Sequence, residues 1–192
     1  LARKTNILVG AGDFIEGCKH NLIFKEVYGG LDYTRQEKLA AELTAEVILR
    51  VFKVRLNDLA AGRSRVNPDM AKQWIDQSLQ TFLFVPGNHC LWTVDSGVQA
   101  LQTFRCYLKE LVTVGVKNIL QKRDLAVVDP SSLVEKKIME QLSAYSLPHT
   151  GVLLEIFHPH MSRTKTTSIR PQEMLAFAKD STALVVGGNF HV

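Results

Sequence analysis

Cysteines are few, and they form no recognisable pattern. The chain has three in 192 residues, Cys18, Cys90 and Cys106, with no C-x-x-C pair among them. A disulfide framework needs paired cysteines, and a zinc knuckle needs clustered ones. We therefore expect reduced thiols and an intracellular protein, in the cytoplasm or inside an organelle.

Long hydrophobic runs are missing as well. No apolar stretch approaches the roughly 20 residues that a membrane-spanning helix requires, so the sequence predicts no membrane span. Only six residues precede the first apolar run at Ile7, which leaves no room for a signal peptide. The start at Leu1 rather than Met indicates a processed or truncated beginning.

Charge of one sign does not dominate the chain. There are 23 Lys and Arg against 19 Asp and Glu, a formal net charge of +4. The basic loops at residues 63–65 and 163–165 lack interleaved aromatic side chains, which argues against nucleic acid as a partner. With 46% hydrophobic and 22% charged residues, and neither repeats nor a linker, the sequence predicts one globular domain over residues 1–192.

The sequence does contain four apolar runs that each end in an Asp, Asn or His. They are residues 7–9 before Asp13, residues 82–85 before Asn88 and His89, residues 152–157 before His158 and His160, and residues 183–186 before His191. Continuous apolar runs are typical of strands buried on both faces. Ligands of an open α/β sheet bind at the carboxyl ends of its strands. We therefore expect these side chains to meet at one edge of a sheet.

Helical patterns alternate with the apolar runs. Thr34 and Glu37 have capping-box spacing at the start of a helix that ends near Gly62, and Asn67 precedes a second helix that begins with proline. Three further elements are predicted: a helix from Asp95 or Ser96 to about Thr113, a hairpin of residues 116–120 and 125–128, and a helix from Pro130 towards Pro148. This alternation predicts an α/β fold with a partly parallel sheet.

Taken in order, Gly12-Asp13, Gly87-Asn88-His89, His158 and a Gly-x-x-His ending at His191 resemble the calcineurin-like metallophosphoesterases. The resemblance implies a two-sheet α/β sandwich of mostly parallel strands flanked by helices. It also implies hydrolysis of phosphate esters through a water activated by two divalent metal ions (Mn, Fe or Zn).

The resemblance also assigns roles to individual residues. It makes Asp13, Asn88, His158 and His191 metal ligands, with Asp13 bridging the ions. It gives His89 the task of protonating or stabilising the leaving oxygen. His160 is the fallback ligand if His158 does not face the site.

The sequence departs from the family pattern at three places. The family's opening Asp-x-His block is not present, Cys90 stands where the family has an acid, and Asn189 stands where it has a histidine. Losing ligands weakens a divalent metal site by orders of magnitude, so the metal could have been lost. The alternative function is a catalytically inactive relative that acts as a scaffold or as a subunit of a larger complex, with protein partners or as a homo-oligomer.

Each residue also has a simpler interpretation. Asp13 could cap the segment that follows it, and Asn88-His89 could form an ordinary turn at a strand end. Gly10-Ala11-Gly12 could belong to a nucleotide-binding turn, but the third glycine and the downstream acid are not at the required positions. Cys90 could act as a nucleophile, although nothing nearby in sequence would lower its pKa.

Overall fold

The computed structural model is a mixed α/β structure. It describes residues 5–15, 32–61, 67–91, 94, 97, 99–125, 128–142, 145–148, 150–158 and 184–188. The described helices are α1 (Tyr33–Ala60), α2 (Pro68–Ser78), α3 (Asn88–Leu91), α4 (Gln102–Gln121) and α5 (Ser131–Lys137). The described strands are β1 (Ile7–Ala11), β2 (Thr81–Val85), β3 (Ile138–Glu140), β4 (Tyr145–Ser146), β5 (Leu153–Phe157) and β6 (Leu184–Gly187).

The strands form two sheets of three strands each, in the orders β1-β2-β3 and β4-β5-β6. In the second sheet β4 pairs with β5 antiparallel and β5 pairs with β6 parallel. All five residues of β2 are buried, which confirms the prediction of a strand covered on both faces. The predicted α/β class and partly parallel pairing are therefore confirmed. The expectation that the four apolar runs share one sheet was wrong, because β1 and β2 belong to the first sheet and β5 and β6 to the second.

The chain divides into two compact units, each made of three stretches. The first contains Leu1–Leu8, Glu37–Phe82 and Thr103–Met139, and the second contains Val9–Gln36, Leu83–Gln102 and Glu140–Val192. The first unit holds most of the helical residues. The second holds the strand ends at which the candidate site residues lie.

Helices α1 and α4 lie side by side in the first unit. The Tyr107 hydroxyl donates to a carboxylate oxygen of Glu42 at 3.3 Å, and the Phe104 backbone N–H donates to Glu37 Oε2 at 2.8 Å. Leu101, just before α4, has φ of +56°. The buried Glu37 carboxylate therefore caps α4 from a neighbouring helix, where a negative charge is favoured.

The prediction that α4 ends before Gly115 and is followed by a hairpin was wrong. The helix continues to Gln121, because the buried positions recur every four residues: Phe104, Leu108, Val112, Val116 and Leu120. A Cβ added at Gly115 would lie 2.3 Å from Leu49 Cδ1 of α1. Gly115 therefore permits close approach of two helices rather than ending one.

The predicted long helix after Pro130 was also wrong. Helix α5 covers only Ser131–Lys137, and the chain then forms the short strands β3 and β4. Val134, Ile138 and Leu142 are spaced like one face of a helix, but Leu142 is 89% exposed. Among the residues that the structure describes, no helix is long and apolar enough to cross a membrane.

Candidate functional site

Three strand ends of the second unit carry the candidate site. Asp13 follows β1, Asn88 follows β2 after the Pro86-Gly87 break, and His158 follows β5 directly. Phe14, next to Asp13, packs edge-on against Phe84 of β2 with ring centroids 5.9 Å apart. This contact holds the loop after β1 against β2.

The side chains of Asp13, Asn88 and His158 meet. His158 Nε2 lies 3.1 Å from Asp13 Oδ2 and 2.9 Å from Asn88 Oδ1. The His158 side chain is 2% exposed and the Asp13 side chain is 21% exposed. Solvent therefore reaches the cluster on the side of Asp13. Three of the four residues predicted as metal ligands therefore come together.

The other ring nitrogen of His158, Nδ1, is hydrogen-bonded to the backbone. Nδ1 lies 2.6 Å from the Ala11 carbonyl oxygen, which can only accept a hydrogen bond, so Nδ1 carries a hydrogen. In the neutral ring Nε2 then presents a lone pair to the oxygens of Asp13 and Asn88. Such a meeting of lone pairs is stable only with a proton on Nε2, with the Asn88 amide turned to donate, or with a cation among them.

The two distances from His158 Nε2 are those of hydrogen bonds and also match the separation of donor atoms around one divalent ion. Donors at right angles around an ion with bonds of about 2.1 Å lie about 3 Å apart, close to the distances observed here. A histidine ligand that donates its other N–H to a backbone carbonyl is also the usual arrangement at metal centres. Asp13, Asn88 and His158 could therefore hold one ion and leave positions for water.

Glycines leave space for the His158 ring. A Cβ at Gly12 would lie 2.0 Å from His158 Nδ1, and one at Gly188 would lie 2.7 Å from the same atom and 1.9 Å from the Ala11 oxygen. Gly12 also has φ of +90°, and the next residue, Asp13, has φ of +47°. Only glycine combines that backbone with the absence of a side chain.

His89 lies beside the cluster and contacts it through its backbone. Its N–H donates to Asp13 Oδ1 at 3.2 Å, so the second carboxylate oxygen of Asp13 is also held. Gly87 makes this approach possible, because a Cβ there would lie 2.1 Å from Asp13 Oδ1. The proton-transfer role of the His89 side chain stays a prediction.

Cys90 is fully buried beneath this turn. Burial raises the pKa of its thiol, so the sulfur is protonated at neutral pH and is a poor nucleophile. A protonated thiol also lacks the negative charge with which the acid expected at this position would orient His89.

The remaining predicted residues, His160, Asn189 and His191, lie outside the described residues, as do both basic loops. Within the part of the chain that the structure describes, no three His, Cys, Asp or Glu side chains come together in a way that could hold a metal ion. The present cluster contains two such residues, and its third donor is an amide.

Reasoning from the sequence missed the structural partners of His158. Ala11 contributes a backbone carbonyl, which no side-chain pattern reveals. Gly12 and Gly188 were visible as the glycines that follow β1 and β6, and a glycine directly after a strand signals a close approach of backbone or ligand. Comparisons with family models, curated proteins and solved structures found no match to this chain.

Proposed function

We propose that this chain is a metal-dependent phosphoesterase-like protein in which Asp13, Asn88 and His158 hold a divalent ion. One observation supports the proposal: His158 Nε2 faces two oxygens while its Nδ1 is held by the Ala11 carbonyl. Asp13 supplies one negative charge, and the other two ligands are neutral. A cation therefore satisfies all three donors at once.

The residues divide the work between binding and proton transfer. A bound ion supplies Lewis-acid activation of a water that attacks phosphorus. Asp13, Asn88 and His158 would hold the ion, the Ala11 carbonyl holds the imidazole through Nδ1, and the glycines leave room for the ring. His89 follows Asn88 directly and is the proposed proton donor to the leaving oxygen.

The two-metal arrangement and the two-sheet sandwich belong to the same proposal. Asp13, Asn88 and His158 would hold one ion, and a second ion would depend on His191. The sandwich is the arrangement that the family resemblance predicts for the two three-stranded sheets. Mn, Fe or Zn as the metal and an intracellular location are likewise proposed.

Metal analysis and turnover test the proposal directly. We expect the purified chain to bind Mn²⁺ and to hydrolyse p-nitrophenyl phosphate or its bis ester. Asp13→Asn removes the charged donor of the cluster and should reduce turnover by more than about 100-fold. Loss of a residue that merely supports a metal ligand lowers activity by about 10- to 100-fold, and loss of the ligand itself should lower it further. Asp69→Asn, which removes an exposed carboxylate of α2, is the matched control. A chain that binds no metal and turns over neither ester would refute the proposal.

The inactive scaffold is the second candidate function, and Cys90 favours it. The buried thiol cannot orient His89 as an acid would. Stoichiometric Mn²⁺ binding without turnover, together with no activity after Cys90→Asp in a variant that still folds, would favour the scaffold. Turnover by the unmodified chain that depends on Asp13 would exclude it.

A further inference from the structure

Helix α1 carries a stripe of exposed apolar side chains. Leu39 is 46% exposed, Leu43 58%, Val47 50% and Val54 38%. At 3.6 residues per turn these positions lie within about 80° of the helix circumference. The buried face is on the opposite side and consists of Glu37, Ala41, Ala45, Ile48, Phe52 and Leu56. Single exposed apolar residues are ordinary, but several on one face of a helix point to an interaction surface.

Glu42, Glu46 and Lys53 lie along one edge of this apolar stripe, and Arg50 lies within its arc between Val47 and Val54. Arg35 and Lys38 are exposed at the start of the helix, Glu42 and Glu46 follow them, and Arg50 and Lys53 are exposed after the glutamates. In the single chain Glu46 pairs with Arg50 on the same exposed helix face. An exposed pair of this kind contributes little to stability, so its members are available to a partner.

The order of these charges fits a second α1 that runs antiparallel. With a twofold axis near Ile48, Glu46 of one copy faces Arg50 of the other, and Glu42 faces Lys53. A parallel arrangement would instead oppose Glu46 to Glu46 and Arg50 to Arg50. Charges that flank an apolar seam set the orientation of paired helices in this way.

A groove next to the stripe adds apolar surface. It is a cavity of about 420 Å³ between α1 and α4, with Leu49, Leu111 and Ile119 among its lining residues. Glu42, Glu46, Arg50 and Lys53 line the same cavity. The charged edge of the stripe is thus also the rim of the groove.

We propose that α1 is the interface of a homodimer in which two copies pack antiparallel through the stripe formed by Leu39, Leu43, Val47 and Val54. A stable interface buries roughly 800 Å² on each partner, and four half-exposed side chains supply less than that. The expected dimer is therefore a weak one, with a dissociation constant in the micromolar range.

Sedimentation of the full chain across about 1 to 300 μM tests self-association in the range expected for this affinity. We expect a monomer–dimer equilibrium that Leu43→Glu weakens by more than about 10-fold, because it places a charge in the seam. Val114→Glu is the matched control, since Val114 is 50% exposed on α4, outside the stripe. A monomer at every concentration, or equal weakening by both variants, would overturn the proposal.

Charge exchange tests the orientation. Glu46→Arg alone and Arg50→Glu alone should each weaken the dimer, and the double exchange should restore it. Both single variants would leave a parallel dimer unchanged in affinity. Such a result, or binding of the stripe to phosphatidylserine vesicles by a chain that stays monomeric, would contradict the antiparallel homodimer.

Discussion

At the scale of the residue, the neighbours of His158 determine what each of its two ring nitrogens contacts. The Ala11 carbonyl fixes one nitrogen, and Asp13 and Asn88 face the other. The side chains could be predicted from the sequence, because each follows an apolar run that ends in a polar residue. The carbonyl and the glycines could not, because their importance comes from contacts between distant parts of the chain.

Replacing Gly12 with Ala should displace the His158 ring. The new Cβ would overlap the ring at Nδ1, and the φ of +90° would strain any residue other than glycine. We expect Mn²⁺ affinity, measured by calorimetry, to fall by more than about 10-fold, as for loss of a group that supports a metal ligand.

Gly151→Ala separates the effect of backbone strain from the effect of contact with the His158 ring. Gly151 has φ of +69° but nothing within 4 Å of an added Cβ. It should lower the free energy of unfolding by about 1 kcal/mol through backbone strain and leave metal affinity unchanged. Equal loss of affinity in both variants would show that the contact with His158 is not what matters.

At the scale of the element, sequence periodicity located several elements, gave the wrong ends for α4 and α5, and missed the two shortest strands. Helix α1, helix α2 with its Asn67 cap, and strands β1, β2, β5 and β6 were all predicted near their observed places. Strands β3 and β4 have three and two residues, too few to produce a period. Gly115 was misread because a glycine that ends a helix and one that permits helix contact look alike in a sequence.

Gln141 connects strands β2 and β5 of the second unit. Its backbone N–H donates to the Phe84 carbonyl at 2.8 Å. Its side-chain amide donates to the Leu154 carbonyl at 2.7 Å and accepts from the Ile156 N–H at 2.6 Å. These three hydrogen bonds join β2 to β5, the two strands that precede Asn88 and His158.

Gln141→Glu should weaken this connection while keeping the size of the side chain. A carboxylate can still accept from Ile156, but it opposes oxygen to oxygen at Leu154. We expect the free energy of unfolding, measured in urea, to fall by about 1–3 kcal/mol, the cost of an unsatisfied carbonyl and a misplaced charge. Gln73→Glu on the exposed face of α2 is the control and should change it by less than about 0.5 kcal/mol. A similar small change in both variants would mean that Gln141 does not hold β5 to β2.

At the scale of the whole molecule, the candidate site joins stretches that are far apart in the chain. Asp13, Asn88 and His158 belong to the three stretches that make up the second unit. A ligand that contacts all three acts only on the folded state, since the unfolded chain does not bring them together. The free energy of binding such a ligand would therefore also be free energy of folding.

Mn²⁺ should accordingly raise the melting temperature. A ligand at about 100 times its dissociation constant contributes about 2.7 kcal/mol. For a chain of this length that corresponds to about 5 to 10 °C, which EDTA should reverse. Asp13→Asn should melt at the same temperature with and without Mn²⁺, because its cluster keeps no negative charge to offset that of the ion. An equal rise of the melting temperature in the variant would mean that Mn²⁺ binds elsewhere. It would then be wrong that Mn²⁺ stabilises the fold by binding at these three strand ends.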